Sequence, residues 1–238
     1  MTTVAILFWA GVFLVFYTYL GYGILLWLLV KIREAVHPAR RYAFPADPPE
    51  VTLLIAAYNE QEVVAEKMAN CRALDYPAGK LRVTWITDGS TDRTVELLAA
   101  YPDATVLHDA RRGGKTAALN RALEHIRTPL VVFTDANTML NLEAVTEIVR
   151  CFEDPQVGCV AGEKRVADAG GAGAAATEGV YWKYESKLKE LDYRLYSAVG
   201  AAGALFAVRR GLWQTLPEDT LLDDFGCSML IESQGYKI

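Results

Sequence analysis

Three clusters of polar and acidic residues, each directly after an apolar segment, are the residues of this sequence best suited to chemistry. They occupy positions 56–60 (Ala-Ala-Tyr-Asn-Glu), 87–92 (Thr-Asp-Gly-Ser-Thr-Asp) and 134–137 (Thr-Asp-Ala-Asn). Each cluster alone has a structural explanation, since Asp88 and Asn137 are typical turn residues and Asp92 is typical of a helix start. Three such clusters at one edge of a sheet favour a ligand-binding site instead.

Carboxylates at such an edge suit a phosphate ligand that is held through a divalent metal. Mg²⁺ and Mn²⁺ take oxygen ligands from one or two carboxylates and from substrate phosphates. Asp135 and Asn137 lie two positions apart, so both side chains can reach one ion or its waters. The sequence therefore predicts Mg²⁺ or Mn²⁺ at Asp135 and Asn137.

The run 111–116 (Arg-Arg-Gly-Gly-Lys-Thr) supplies the opposite charge. Its end imitates the phosphate-binding loop GxxxxGK[ST], but the first glycine of that pattern would fall on Asp109. The run also follows the third predicted strand rather than the first. We therefore expect a basic loop that contacts a nucleotide or a diphosphate, and the alternative is a solvated cluster of charges.

Alternating strands and helices must position these residues. Apolar segments predict strands at 51–57, 81–87, 104–108, 130–134, 157–166 and 204–208. Helical spacing predicts helices at 61–74, 92–100, 114–127, 142–152, 178–196 and 221–234. This rhythm predicts an α/β fold with a mainly parallel, Rossmann-like sheet and helices on both faces. Ligands bind beyond the carboxyl ends of parallel strands, so the three clusters should meet there.

The N-terminal segment differs in composition from the rest of the 238 residues. Residues 4–30 are 27 positions without a charge, 23 of them hydrophobic, and without them the hydrophobic fraction falls from 52% to about 48%, a usual globular value. A helix of this length reaches about 40 Å, enough to cross a hydrocarbon core of about 30 Å. No basic residue precedes the run and it is too long for a signal peptide, so it predicts a transmembrane helix.

Charge after this helix predicts its orientation. Residues 31–41 hold four basic residues and one acid, a net charge of +3. The whole chain has a net charge of −5, so residues 42–238 carry a net charge of −8. The positive-inside rule then places the following domain in the cytoplasm, with the helix as a single pass of the plasma (inner) membrane. Residues 31–50, which include several prolines, predict a linker, and 51–238 a catalytic domain. The acidic balance argues against a nucleic-acid partner.

Two further features concern the cysteines and the helix at 178–196. The four cysteines form no CxxC pair and the three histidines add no metal spacing, which favours reduced, buried thiols over a zinc site. Residues 167–176, rich in Gly and Ala, predict a loop. The helix that follows carries an apolar stripe, and it either packs on the sheet or lies near the bilayer surface or the acceptor channel with Trp182 exposed.

Together these motifs resemble the family 2 inverting glycosyltransferases with the GT-A fold. The resemblance covers about residues 50–238 and includes several motifs in the same order. They are 57–60, 87–92, 114–115 with 118–120, Asp135-Ala136-Asn137, 181–185, 203–210 and Asp223-Asp224. The segment 181–185 is most similar to the membrane-bound cellulose, chitin and hyaluronan synthase group. The resemblance implies a metal-dependent hexosyltransferase that moves sugar from a UDP-sugar to an acceptor hydroxyl.

The resemblance also implies roles for individual residues. Tyr58 and Glu60 would lie beside the base and ribose, Asp88 on the uracil edge and Lys115 on the UDP. Asp135 would meet the diphosphate and its Mg²⁺ or Mn²⁺. The residues implied for binding of the nucleotide sugar are Ala57, Tyr58, Glu60, Asp88, Lys115, Asp135 and Gly203. Those implied for the metal are Asp135 and Asn137, and those implied for catalysis are Asp223 and Asp224.

Asp224 matches the general base of the family, and Asp223 stands where the family usually has Glu. Asp224 would take the proton of an acceptor hydroxyl as that oxygen attacks the anomeric carbon, and the metal would stabilise the departing diphosphate. A single displacement inverts the anomeric centre. Asp224 also has a simpler explanation, because helix N-termini favour acids. Gly203 and its neighbours would shape the pocket for donor sugar and acceptor.

The sequence departs from the family pattern at two points. The second residue of the usual DxD motif is the neutral Asn137, so we expect a different metal affinity or metal choice. Processive relatives continue with a QxxRW motif and further membrane segments, so we expect a catalytic domain that is incomplete at its C-terminus and that does not make and export a polymer alone.

Two alternatives remain open for the function. One is a polyprenyl-phosphate sugar transferase, whose lipid-phosphate acceptor needs no strong base. The other is a non-catalytic, nucleotide-sugar-binding subunit of a synthase complex. The expected partners are a UDP-sugar, a saccharide or lipid-linked acceptor, the lipid bilayer and synthase subunits.

Overall fold

A computed structural model of the chain describes residues 2–38, 42–163 and 174–238. The chain forms two compact units, one of Met1–Arg41 with Arg165–Ala198 and one of Tyr42–Lys164 with Val199–Ile238. The elements in chain order are α1 Thr2–Phe16, a π-turn Tyr17–Gly21, α2 Tyr22–Val36, β1 Val51–Ala57, α3 Val64–Ala73, β2 Leu81–Asp88, α4 Thr94–Leu98, β3 Ala104–Asp109, α5 Lys115–His125, β4 Leu130–Asp135, α6 Ala144–Cys151, β5 Cys159–Ala161, α7 Ala174–Leu195, β6 Leu205–Arg209 and α8 Asp223–Ser233.

The second unit is built on a six-stranded sheet in the order β3-β2-β1-β4-β6-β5. The first four strands along the chain pair in parallel, whereas β6 runs antiparallel to both β4 and β5. The prediction of a mainly parallel α/β sheet is therefore confirmed. The antiparallel pair lies at one edge of the sheet, next to β4.

Helices cover both faces of this sheet, as predicted. Val51, Leu53 and Ile55 are fully buried on one face, in a cluster with residues of α3 and α6. On the other face, Phe133 stacks on Phe206 at 4.5 Å between ring centroids, on the side of α5. Strands covered on both faces read as continuous apolar runs, which is why β1 and β4 lack the alternation of a half-exposed strand.

Several boundaries differ from the predicted ones. Helix α4 has five residues, Thr94–Leu98, instead of the predicted nine, and it begins after Asp92 rather than at it because the Asp92 carboxylate accepts from the Thr94 amide. Strand β5 ends before Gly162, where an added Cβ would lie 2.7 Å from the Leu205 side chain. Of the strand predicted at 157–166, positions 164–166 lie outside the described residues. So do positions 167–173 of the predicted loop, whereas 174–176 begin α7.

The first unit contains one long apolar helix from Thr2 to Val36, with the π-turn in its middle. By length and composition this helix is able to cross a membrane. It continues past the predicted end at Val30, so residues 31–36, expected in the linker, are helical. The helix ends because His37 precedes Pro38, a position that favours the extended backbone seen at His37.

Helix α7 packs on this apolar helix through its predicted apolar stripe. Leu191 forms a buried cluster with Leu26 and Val30 of α2. The Tyr184 hydroxyl donates to the carbonyl oxygen of Tyr19 at 2.6 Å, inside the π-turn. A π-turn disturbs the regular helical hydrogen bonds, so a side-chain donor at this point stabilises the irregularity. The interpretation that the stripe packs on the sheet is therefore wrong, since the apolar helix occupies it, and Trp182 is half-buried rather than exposed. A position near the bilayer surface or the acceptor channel stays a prediction.

The cysteines largely follow the sequence expectation. Cys71, Cys159 and Cys227 are free and buried, whereas Cys151 is free and exposed, so the expectation of burial is wrong for Cys151. It is the last residue of α6, whose buried side is formed by Ala144, Val145, Ile148 and Val149. Within the described residues, no group of three or more His, Cys, Asp or Glu side chains is arranged to hold a metal ion.

Candidate active site

The strand register brings the three polar clusters to one edge of the sheet. Ala57, the buried last residue of β1, pairs with Thr87 of β2, and Ala56 pairs with Asp135 of β4. All three strands are parallel, so the loops that follow them leave the sheet side by side. The expectation that the clusters meet is confirmed by this register.

The first two loops are joined by hydrogen bonds between their polar residues. Asn59 has a left-handed backbone, with φ of 55°, and its side-chain oxygen accepts from the Thr91 amide at 2.8 Å. Asn tolerates this conformation better than most residues. Asp92 accepts from the amides of Gln61 at 3.1 Å and of Thr94 at 3.0 Å, and so starts helix α4, as its sequence position suggested. Asn59 and Asp92 thus hold the loops in place.

Tyr58, predicted beside the base, presents an exposed ring that carries a cation on one face. The guanidinium carbon of Arg112 lies 4.0 Å from the ring centroid. Arg112 reaches this position by passing close to Gly89, where a Cβ would lie 2.8 Å from Arg112. The sequence did not single out Arg112 as a partner of Tyr58. A flat ring and a guanidinium together form a surface on which a nucleobase can stack.

Glu60, predicted beside the ribose, is half-buried, and its amide donates to the Thr94 hydroxyl at 2.9 Å. Burial raises the pKa of the Glu60 carboxyl, and the negative charges of Asp135 and Asp92 raise it further. Glu60, Asp92 and Asp135 are therefore close enough for their charges to interact, and a cation bound among them would relieve their mutual repulsion.

Asp88, predicted on the uracil edge, is buried and bonded to the basic loop. Its carboxylate accepts from the Gly113 amide at 3.0 Å and from the Gly114 amide at 2.7 Å. Arg121 lies 3.8 Å from the same carboxylate. Backbone amides satisfy a carboxylate well, and Asp88 thereby determines where the loop before α5 lies. Its contact with uracil stays a prediction.

Lys115, the first residue of α5, points from the basic loop to the acidic edge. Its ammonium donates to Asp135 Oδ1 at 2.9 Å and lies 3.9 Å from Asp223 Oδ2. Burial by itself lowers the pKa of Lys115, but the bond to Asp135 and the charges of Asp223 and Asp224 outweigh burial, and the net pKa is raised. A permanent cation therefore stands between the two acidic groups.

The two candidate catalytic acids open helix α8, and their surroundings differ. Asp223 is buried, and within the described part of the chain its Oδ2 atom has no hydrogen-bond partner. Burial raises the pKa of Asp223, Lys115 lowers it and the neighbouring Asp224 raises it. Asp224 is half-buried, and its Oδ2 lies 3.1 Å from the point where a Cβ on Gly203 would be. The absence of a side chain at Gly203 keeps the space before Asp224 open.

Helix α5 also positions the segment that leads into α8. The Asn120 amide donates to the Leu216 carbonyl at 2.8 Å and accepts from the Leu216 amide at 3.1 Å. The Thr116 hydroxyl donates to the Thr220 carbonyl at 2.9 Å. Asn120 belongs to a motif noted in the sequence without a role, and the structure gives it one. It ties the helix that carries Lys115 to the chain that carries Asp224.

The acidic edge fits a divalent metal that is shared with a phosphate ligand. Asp135 is partly exposed at the end of β4 and Asn137 is exposed two residues later. These two oxygen donors suit Mg²⁺ or Mn²⁺, but they are too few to complete a coordination shell. Substrate phosphates would have to supply the remaining ligands. Lys115 lies within reach of both Asp135 and Asp223 at this edge.

A mainly parallel sheet with an acidic carboxyl edge and a basic loop facing it agrees with the GT-A class of glycosyltransferases that the motifs resemble. The chain belongs to glycosyl transferase family 2, whose family model matches residues 52–216. The class and family inferred from the motifs are therefore confirmed.

Two relatives with named activities are each similar to the chain over part of their length. The chain is 34% identical over 127 residues to a beta-monoglucosyldiacylglycerol synthase of Nostoc sp., which covers 51% of the chain and 27% of that protein. It is 27% identical over 199 residues to the poly-beta-1,6-N-acetyl-D-glucosamine synthase of Staphylococcus aureus, which covers 79% of the chain and 47% of that protein. The chain thus spans about a quarter to a half of the length of these relatives.

Solved structures with the same fold include a mannosyltransferase from Pyrobaculum calidifontis in complex with GDP-Man and Mn²⁺. It is 28% identical, with a TM-score of 0.75, over 93% of this chain and 62% of that one. GalNAc-T7 with UDP, GalNAc and Mn²⁺ has a TM-score of 0.63 at 18% identity, over 81% of this chain and 42% of that one. The latter supports the fold alone.

Proposed function

We propose that the chain is the catalytic part of a membrane-anchored inverting glycosyltransferase that uses a UDP-sugar donor and a divalent metal. The observation that carries this proposal is that Lys115 lies 2.9 Å from Asp135 and 3.9 Å from Asp223, with Asp224 facing Gly203 beside them. A cation for the diphosphate, a metal ligand and a candidate base thereby stand around one space.

The donor would bind along the edge of the sheet. Its base would stack on the surface that Tyr58 and Arg112 form together, and the ribose would lie near Glu60. Lys115 would turn from Asp135 to the diphosphate, since an ammonium that pairs with a carboxylate at 2.9 Å can exchange it for a phosphate oxygen. Asp135 and Asn137 would hold Mg²⁺ or Mn²⁺, which stabilises negative charge on the departing diphosphate.

Asp224 is the better of the two acids for the role of base. It is the more exposed, and it faces the opening left by Gly203, whereas Asp223 is enclosed and has a raised pKa. As the acceptor oxygen bonds to the anomeric carbon, the bond from that carbon to the diphosphate breaks and Asp224 takes the hydroxyl proton. One displacement of this kind inverts the anomeric centre. Asp223 would contribute negative charge beside Lys115.

The acceptor is proposed from the relatives and the apolar helix. The two relatives in the comparison are named for a diacylglycerol product and for a polysaccharide product. An acceptor that is a lipid or lipid-linked hydroxyl fits both the glycolipid relative and a helix able to cross a membrane. We propose that this helix anchors the chain in the plasma (inner) membrane with the sheet on the cytoplasmic side, and that synthase subunits are possible partners.

A second candidate is transfer from GDP-mannose, because a mannosyltransferase bound to GDP-Man is 28% identical to the chain with a TM-score of 0.75. The acceptor in this case can be a polyprenyl phosphate, which needs no base. The stack of Tyr58 and Arg112 accepts either base, so it does not discriminate between the donors.

A donor screen tests the proposal. The 238-residue chain in lipid nanodiscs would be incubated with Mn²⁺ and with UDP-glucose, UDP-N-acetylglucosamine or GDP-mannose, and release of the nucleoside diphosphate would be measured. We expect metal-dependent release with a UDP-sugar and product in the lipid extract. Release with GDP-mannose alone would favour the second candidate. UDP binding without release from any donor would favour a non-catalytic subunit, and neither binding nor release would contradict the proposal.

A further inference from the structure

A buried lysine that the sequence did not reveal lies inside the unit that carries the site. Lys67 of α3 is fully buried, among the largest enclosed side chains of the chain. Burial lowers the pKa of Lys67 to about 8, which leaves it mostly charged at neutral pH. A buried ammonium is costly unless its protons find acceptors, so its partners indicate why it is there.

The partners of Lys67 lie on both sides of the turn that carries the candidate metal ligands. Its ammonium donates to the Thr134 hydroxyl at 3.2 Å and, by a short bond, to the carbonyl oxygen of Thr138. Asp135, Ala136 and Asn137 lie between these two contacts. The ammonium therefore bridges the start and the end of the turn from its inner side.

Asn70, one helical turn further along α3, holds the next part of the same segment. Its amide donates to the Leu140 carbonyl at 2.7 Å, and its oxygen accepts from the Leu140 amide at 2.9 Å. Lys67 and Asn70 share a face of α3 because residues three apart on a helix are neighbours. One face of one helix thus fixes the chain from Thr134 to Leu140.

Thr134 extends this network to the segment opposite the candidate base. Its hydroxyl accepts from Lys67 and donates to the Ala204 carbonyl at 3.1 Å. Ala204 follows Gly203, whose open space faces Asp224. The buried ammonium is therefore two hydrogen bonds away from the part of the backbone that shapes the pocket in front of Asp224.

We propose that Lys67 is a positioning residue, whose buried ammonium fixes the Asp135–Asn137 turn and the Gly203–Ala204 segment relative to each other beneath the diphosphate site. This inference rests on the proposed function for its effect on donor binding. The geometric part, the ordering of the two segments, does not depend on that function.

The variant Lys67→Met tests the idea, because methionine has a similar length and volume but cannot donate a hydrogen bond. Cys71→Ala is the matched control, since Cys71 is a buried residue of the same helix and its loss leaves a cavity without removing a bond to the turn. Thr134→Val is a second test, in which the hydroxyl that joins Lys67 to Ala204 is removed. It covers the case in which Lys67→Met does not fold.

Two measurements follow. Amide hydrogen exchange at residues 135–140 and 203–205 should rise about tenfold or more in Lys67→Met, and less in Thr134→Val, but not in Cys71→Ala. The dissociation constant for UDP with Mn²⁺ should rise about tenfold in Lys67→Met, while the control keeps the wild-type value. Unchanged exchange in both segments for both test variants would overturn the proposal. If the wild type does not bind UDP with Mn²⁺, the proposed function fails, and the exchange result still decides the role of Lys67.

Discussion

Replacing Gly203 with alanine places one methyl group in front of the candidate base. An added Cβ would lie 3.1 Å from Asp224 Oδ2 and 3.4 Å from its carboxyl carbon. An ordinary contact begins near 3.4 Å, so the carboxylate must move by about 0.3 Å. The backbone of Gly203 is not left-handed, so the variant should fold with a stability loss of about 1 kcal/mol or less.

The expected effect of Gly203→Ala is on the rate of transfer rather than on donor binding. A misplacement of about 1 Å in an active site costs about 100-fold, so a shift of a few tenths of an ångström, with a methyl group in the acceptor path, should lower kcat about tenfold. The substitution does not touch the proposed contacts of Tyr58 with the nucleobase or of Lys115 with the diphosphate. The affinity for UDP with Mn²⁺ should therefore stay within about twofold.

The assay is the kcat for release of UDP, together with UDP binding and thermal unfolding, for three proteins. Gly211→Ala is the matched control, because a Cβ on Gly211 meets nothing within 4 Å. We expect the control to behave as the wild type. Equal kcat values for Gly203→Ala and Gly211→Ala would refute the reasoning that Asp224 acts across the space that Gly203 leaves open.

The other predictions concern the base, the loop, the metal and the thiols. Asp224→Asn should fold and bind UDP with Mn²⁺ but lose transfer, and retained turnover would remove Asp224 as the base. Asp88→Asn brings an amide donor against the amides of the basic loop, so chemical unfolding should show a loss of about 1–3 kcal/mol and UDP binding should weaken; unchanged stability would contradict the role given to Asp88. Chelation by EDTA should stop nucleotide release, and added Mn²⁺ or Mg²⁺ should restore it; activity that persists in EDTA would exclude metal dependence. Iodoacetamide at pH 8 should label the exposed Cys151 before the buried Cys227, because burial raises the pKa of Cys227 to about 12. The order of labelling would be followed by mass spectrometry, and faster labelling of Cys227 would contradict this prediction.

The elements were predictable where a local pattern decides the structure. The apolar runs of β1 and β4 and the helical spacing of α5 were recovered within a few residues, because burial on both faces of a strand leaves a continuous apolar signature. The antiparallel pairing of β6 was not predictable, since an isolated apolar run does not encode the direction of its neighbour. The exposure of Cys151 was missed for a similar reason, because it depends on which side of α6 meets the sheet.

The candidate site shows the same division. That Asp88, Asp135 and Asp224 are candidates follows from their positions after apolar strands and before a helix, and from the family motifs. That the Asp88 carboxylate is taken up by the amides of Gly113 and Gly114 follows only from the loop conformation. A single sequence gives the position of an acidic residue along the chain, but not the donors whose hydrogen bonds its carboxylate accepts.

The sequence by itself determined the class of fold, the family, the long apolar helix and the residues that follow each strand, because periodicity, composition and turn chemistry act over a few neighbouring positions. The tertiary structure alone decided that Arg112 stacks on Tyr58, that α7 packs on the apolar helix, and that Lys67 lies buried beneath the Asp135 turn. These contacts join residues far apart in the chain, and the order of the strands in the sheet or the packing of whole helices sets which of them meet.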